Sequence, residues 1–222
     1  MNVIIVGSGA VAAELTSYIE DSNKYLAEEN RLNLLGYLEF QENIAKYWAK
    51  YKLQKPVLGD IHSYEVNPGE RFIIGIADVA FRKKMLTILA SKGAEVIGFI
   101  HHSTIIAESC EIGKGTIIYP YCIIGPNTVL GENNFITSYS FISHDCIVGE
   151  NNFFSTTGLG GRVVVGNNNF FGIRSTVVPG ISIGSGAVIQ AGMMVDKNVD
   201  DSSTVFYRFK EKIMAVPKSA ES

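Results

Sequence analysis

His144 and Asp145 lie side by side in the run Ser143-His144-Asp145-Cys146-Ile147-Val148-Gly149. An imidazole changes charge near neutral pH, and an adjacent carboxylate can orient it and support its cationic form. The pair therefore suits general-base work. The competing reading is a solvated surface histidine. A second chemical signal opens the chain, where Gly7-Ser8-Gly9-Ala10-Val11-Ala12 follows the apolar run Asn2 to Val6 and satisfies G-x-G-x-x-A. Between a strand and a helix such glycines let a phosphate approach backbone amides; the alternative is a tight turn in an empty α/β unit. The acidic residue that would grip a dinucleotide ribose about 20 positions further on is missing. Glu39 ends the second predicted strand, the right place in the fold but late in the sequence, so a hydride-transfer site is not expected.

His62 suits a turn, and His101 with His102 suits packing or a hinge better than metal ligation. With no clustered Cys and His spacing, no metal site is signalled. Glu132 and Glu150 are equivalent turn positions rather than the paired carboxylates of a glycosidase. The segment Phe206-Tyr207-Arg208-Phe209-Lys210 offers an Arg and a Lys to an anion, although such a segment more often caps the end of a solenoid.

The elements that must position these residues are written as a repeat. From Ile100 an apolar residue returns every sixth position, through Ile106, Ile112, Ile118, Ile124, Leu130, Ile136, Ile142, Val148 and Phe154. After one slip the spacing resumes from Leu159 through Val165, Phe171, Val177, Ile183, Ile189 and Val195. Gly113, Gly131, Gly149, Gly166 and Gly184 recur at intervals of 18, 18, 17 and 18, so three hexads make one coil. Asn-rich runs follow these glycines, as in Glu132-Asn133-Asn134-Phe135. Gly and Asn tolerate left-handed backbone, so one corner of a three-sided coil is marked repeatedly. The expected form is a parallel β-helix of roughly five to six coils with the repeated Ile or Val stacked inside; periodicity alone does not give its hand. The short interval places a one-residue deletion between Glu150 and Val165, near Gly158, where an irregularity in a regular solenoid suggests a functional place. Cys110, Cys122 and Cys146 fall at interior positions and read as core thiols of a reducing compartment.

The first hundred residues lack this period. Strands at Asn2 to Val6, Leu32 to Leu38, Phe72 to Ile76 and Val96 to Ile100 alternate with helices at Ala10 to Glu20 and Arg82 to Ser91, which predicts a small α/β domain with a parallel sheet. Ile44 to Tyr51 is expected to be an aromatic-rich helix, and Pro56 to Asp60 a short strand and turn. The predicted domains are 1–100, 101–205 and a tail at 206–222. The chain has 222 residues and a net charge of -3, which argues against a nucleic-acid binder driven by bulk positive charge. The first residues lack a signal-peptide pattern, and nowhere do about 18 apolar residues run together, so a cytoplasmic protein with no membrane span is expected.

The hexad repeat, the α/β domain ahead of it and the Ser143-to-Gly149 run together resemble the hexapeptide-repeat acyltransferases. Within them the chain is similar to the branch of nucleotide-linked amino-sugar N-acetyltransferases of the bacillosamine and perosamine type, with the related sialic acid O-acetyltransferase-like proteins. The resemblance implies a Rossmann-like N-terminal domain followed by a left-handed parallel β-helix. It implies His144 as the base for a sugar amine attacking acetyl-CoA, Asp145 as its acidic partner, and Gly161, Ile173 and Ala191 as acetyl-CoA-binding positions. Gly7, Ser8, Gly9, Glu39, Ala77 and Asp78 would hold the nucleotide sugar. It also implies a homotrimer with active sites between subunits, acetyl-CoA as the co-substrate and no metal. Where some members carry a second histidine this chain has Phe153, and Gly9-Ala10-Val11-Ala12 departs from the family's usual glycine-rich run. The expected reaction is N-acetylation of a nucleotide-linked amino sugar, a 4-amino-4,6-dideoxyhexose type, by direct attack. The rivals are O-acetylation of a sugar hydroxyl and a non-catalytic trimeric scaffold.

Overall fold

The computed structural model describes residues 1–40, 43 and 49–207. Most of the expected helix Ile44 to Tyr51, and the tail from 208 onward, lie outside the described residues. Five strands, β1 (Asn2–Val6), β2 (Asn33–Glu39), β3 (Val57–Asp60), β4 (Arg71–Ile74) and β5 (Glu95–Val96), form a parallel sheet in the order β3-β2-β1-β4-β5. Val3, Ile4, Ile5 and Val6 are all buried, as expected of a central parallel strand covered on both faces. Helix α1 (Ala10–Asn23) buries Ala12, Leu15, Ile19 and Ser22, a stripe at helical spacing. Helix α2 (Val79–Ser91) starts three residues earlier than its apolar pattern suggested, because Asp78 Oδ1 accepts a hydrogen bond from the Phe81 amide at 2.7 Å and caps the first turn.

The expected strand from Val96 to Ile100 is two strands in two sheets. Glu95–Val96 pairs with β4, whereas Phe99–Ile100 already pairs with Ile117–Ile118 as the first strand of the solenoid. From there two-residue strands stack in parallel on three faces. Face 1 holds seven strands, from Phe99–Ile100 to Thr204–Val205; face 2 holds six, from Ile105–Ile106 to Met194–Val195; face 3 holds five, from Glu111–Ile112 to Ser182–Ile183. The sixth-position residues from Ile118 to Val195 form one continuous core with Cys122 and Cys146. Ile100 departs from that series: it is 41% exposed because no coil lies beneath it. Asn127, Asn133, Asp145, Asn151, Arg162 and Asn168 hold positive φ at the corners, where short polar side chains carry much of the turn.

The missing residue is located by the strand register. Phe154 pairs with Phe171, 17 residues on, but Leu159 pairs with Val177, 18 on, so the shortened turn is Ser155 to Thr157 between faces 1 and 2. That shift brings residue 161, rather than 162, next to residue 144 in the coil below.

The α/β unit sits on face 1. Ala12, Leu15 and Ile19 of α1 share a core with Phe99, Ile117, Tyr119, Phe135 and Phe153, and Tyr119 donates to the Val11 carbonyl at 3.2 Å. On the α2 side the buried Arg82 donates to the carbonyls of Asn133 and Asn152 and lies 5.6 Å from the centre of the Phe135 ring. Burial pulls its guanidinium down to about 9, still protonated at neutral pH.

Candidate active site

His144 and Asp145 occupy the corner between faces 2 and 3, with both side chains partly exposed. The left-handed backbone of Asp145 turns its carboxylate back on its neighbour, and Oδ2 lies 2.7 Å from His144 Nδ1. Asn127, one coil below, donates to the other oxygen at 3.2 Å. These two hydrogen bonds, the one from His144 first, hold the Asp145 carboxyl below the usual carboxylate range. An ionised carboxylate only accepts, so Nδ1 carries the proton and Nε2 presents its lone pair. Asn127 was not singled out from the sequence, although its place 18 residues before Asp145 was the available signal.

Gly161 stacks on His144 along this corner. A side-chain carbon at Gly161 would stand 2.6 Å from both Nε2 and Cε1 of the imidazole. Only glycine lets the ring come this close to the next coil, so ring position and coil spacing are coupled. The Gly161 carbonyl accepts from Gly180, and the His144 carbonyl accepts from Arg162, each at 2.9 Å, which fixes the backbone on both sides of the ring. Ile173 and Ala191 do not join this group. They lie on the corner between faces 1 and 2, stacked one coil apart and on the same side as the shortened turn.

The glycine run is on the α/β unit. Gly7 has φ of +103° and packs against the Gly75 carbonyl and Ile76, a conformation and a contact that both exclude a side chain. Gly9 caps α1 without a side-chain hydrogen bond, and no acidic residue stands in the first turn, so that turn's amides remain open to an anion. Gly7, Gly9, Ala10, Glu39, Asn43, Ala77 and Phe81 border a cleft of about 290 Å³. It opens beyond the ends of β1 and β4, where the strand order reverses, the place where open α/β sheets bind ligands.

Glu39 is buried and committed to the loop. Its Oε2 accepts from the Ser8 amide at 2.9 Å and from the Ser8 hydroxyl at 3.0 Å, and its Oε1 accepts from the Phe40 amide at 2.8 Å. Ser8 is fully buried beneath the loop. Asp78 is engaged as the cap of α2 and borders a second cleft of about 510 Å³ between α2 and face 1, with Lys83, Asn168 and Phe170. Phe81, Gly75 and Ile76 were not anticipated as cleft residues; they follow from the packing of α2 and the end of β4.

The cleft and His144 are on opposite sides of the molecule. Face 1 carries the α/β unit, and the corner between faces 2 and 3 is the vertex of the prism across from it.

Comparison with known proteins agrees with this architecture. The family pattern described as "Hexapeptide repeat of succinyl-transferase" matches residues 162–197. YvoF of Bacillus subtilis (strain 168), named provisionally as an acetyltransferase, is 37% identical over 68 residues, which are 28% of this chain and 40% of that protein. The chain thus matches less than half the length of that relative. A histidine-to-alanine variant of GDP-perosamine N-acetyltransferase from Caulobacter crescentus, in complex with CoA and GDP-perosamine, is similar with a TM-score of 0.77 at 21% identity over 92% of both chains. The acetyltransferase domain of PglB from Neisseria gonorrhoeae FA1090, in complex with acetyl coenzyme A, gives 0.74 at 16% identity over 91% of this chain and 94% of that one. The six-residue repeat is thus matched in sequence over residues 162–197, and the two-part architecture as a whole has the fold of these sugar N-acetyltransferases.

Proposed function

We propose that the protein transfers an acetyl group from acetyl-CoA to the amine of a nucleotide-linked amino sugar, of the 4-amino-4,6-dideoxyhexose type. The observation that carries the proposal is the corner where Asp145 orients His144 and Gly161 seats its ring. In this reading Nε2 takes a proton from the amine as its nitrogen attacks the thioester carbonyl. A C–N bond forms, the C–S bond breaks, and the proton passes to the departing thiolate. A backbone amide of the solenoid, with Gly161 the candidate, meets the oxyanion of the tetrahedral intermediate. Cys122 and Cys146 are buried with their thiols pushed up by desolvation, and Cys110 packs against the same solenoid core with its thiol on the Gly125 carbonyl, so none suits a covalent intermediate, which supports direct attack in a ternary complex.

Residues 1–100 would bind the nucleotide sugar and residues 101–205 the coenzyme, with Ile173 and Ala191 along its pantetheine arm. Gly7 and Gly9 shape a loop for the diphosphate, while Ser8 and Glu39 brace that loop from beneath. Because the cleft and His144 face apart within one chain, a sugar held at the cleft would meet the His144 of another copy. Exposed apolar residues on face 2 (Ile105, Ile123, Phe141, Met194) and face 3 (Ile147, Val164) support such an assembly, a homotrimer. Among the described residues no helix is long and apolar enough to cross a membrane.

The test is release of free thiol from acetyl-CoA in the presence of UDP-, dTDP- and GDP-linked 4-amino and 3-amino sugars, with His144→Ala alongside. Turnover with one amino sugar that is lost in the variant supports the proposal. Acetyl-CoA binding without turnover on any amine, combined with turnover on a sugar hydroxyl, would replace it with O-transfer.

A further inference from the structure

The junction between α1 and the first coil of the solenoid contains a side-chain cluster that the acetyl-transfer reaction does not use. Asp21, in the last turn of α1, faces His101 and His102, with one ligand atom from each residue within 4.8 Å of the others. His101 is 2% exposed, and its Nε2 is buried with no hydrogen-bond partner, 3.4 Å from Asp21 Oδ2. A buried ring nitrogen aimed at a carboxylate without bonding it is an arrangement that needs a reason.

We propose that Asp21, His101 and His102 form a binding site for one divalent transition-metal ion, which clamps the α/β unit to the solenoid. Two imidazoles and one carboxylate suit Zn(II) or Co(II), whereas Mg(II) and Ca(II) require a shell of oxygens. Neighbouring groups hold each ligand in place. Ser103 Oγ lies 2.8 Å from His101 Nδ1 and accepts from the Tyr121 amide, while the Ser103 amide donates to the same Nδ1 at 3.2 Å; metal binding through Nε2 therefore moves the ring proton to Nδ1, which then gives up that amide and donates to Ser103 Oγ. The ring of His102 stacks on Tyr25 at 4.1 Å, and its backbone amide is held by Ser22 Oγ. Asp21 keeps Oδ2 toward the histidines while Oδ1 takes a hydrogen bond from Lys24.

The remaining coordination positions open to a cleft of about 460 Å³ that Glu20, Asp21, Lys24, His101 and Tyr121 border, which leaves room for water. The site lies on the same corner as Ile173 but four coils away, roughly 19 Å at the usual strand spacing, so it is independent of the proposed acetyl-transfer chemistry. Lys24 opposes it: its ammonium competes for the one carboxylate.

Isothermal titration of the untagged full chain with ZnCl2 in a non-chelating buffer tests the proposal, with Co(II) as a spectroscopic probe. One ion per chain is expected, with visible ligand-field absorption from Co(II) and a rise in the midpoint of thermal unfolding on adding zinc. His102→Ala and Asp21→Asn change exposed or half-exposed side chains and should fold; each is expected to weaken binding about tenfold or more. Lys24→Ala should bind at least as tightly as the parent. Absence of binding by the parent chain would overturn the proposal, and so would binding that both His102→Ala and Asp21→Asn leave unchanged.

Discussion

The imidazole of His144 lies over the α-carbon of Gly161, one coil further along the same corner, so closely that a methyl group there would stand 2.6 Å from Nε2. The backbone on both sides is pinned by coil-to-coil hydrogen bonds, so the ring must yield, and in yielding it leaves Asp145. Gly161→Ala is therefore expected to lower kcat by about a hundredfold, the cost of misplacing a reacting group by about 1 Å, while the fold survives. Steady-state kinetics beside a thermal melt check this; unchanged turnover would show that the position of the ring does not matter.

Asp145 is held below the ordinary carboxylate range by His144 and Asn127. A depressed carboxyl stays ionised above its unfolded value, and its partners lose it only as pH falls through the folded value, well into acid. Across the neutral range the carboxylate is thus constant. No limb of the kcat/KM profile in that range should come from Asp145. In Asp145→Asn the imidazole loses the carboxylate that orients it, and kcat should fall about tenfold or more in steady-state kinetics. An unchanged kcat would argue that Asp145 only shapes the corner.

Arg82 joins α2 to the solenoid by hydrogen bonds to the Asn133 and Asn152 carbonyls. Arg82→Met keeps the apolar stem but leaves both carbonyls without that donor, and a loss of about 2–4 kcal/mol in unfolding free energy is expected. Urea denaturation measures it. A variant as stable as the parent would mean that the desolvation of the guanidinium had cancelled its hydrogen bonds.

Glu39 braces the glycine loop through both the amide and the hydroxyl of Ser8. Glu39→Gln preserves shape but presents only one accepting oxygen. It should destabilise the chain by about 1–3 kcal/mol and raise KM for the nucleotide sugar, leaving KM for acetyl-CoA unaffected. A rise in both constants would point to general unfolding instead.

The separation of the glycine cleft from His144 predicts complementation. A Cβ at Gly9 meets nothing within 4 Å, and Gly9 borders the cleft, so Gly9→Phe brings a ring to the mouth of the cleft with no clash at its Cβ. Chains carrying Gly9→Phe and chains carrying His144→Ala should each be inactive alone. Unfolded together and refolded, they should regain activity, since an intact cleft and an intact histidine then meet across the interface. Failure to recover any activity would place both groups in one chain's site.

The solenoid was legible in the sequence because each two-residue strand must bury one residue per hexad. An interior that narrow records itself as an apolar series from Ile106 to Val195 with a single slip, and the three-hexad coil followed from the glycines. His144 and Asp145 were legible for a related reason: at a corner of known phase the side chain must point outward. The shortened turn was placed only approximately, near Gly158, because the apolar series slips there without showing which of several residues is absent. Strand pairing fixed it at Ser155 to Thr157.

By itself, the sequence determined the repeat, the three-sided coil, the open glycine turn ahead of α1 and the chemical character of the His–Asp pair, all of which are local or periodic properties. Only the tertiary structure decided that Gly161 seats the imidazole, that Glu39 serves the loop, that Arg82 ties α2 to face 1, and that the cleft faces away from His144. Those relationships join residues through packing between coils or between the sheet and the solenoid. A linear pattern carries the period of a fold but not the side of it on which a separate element comes to rest.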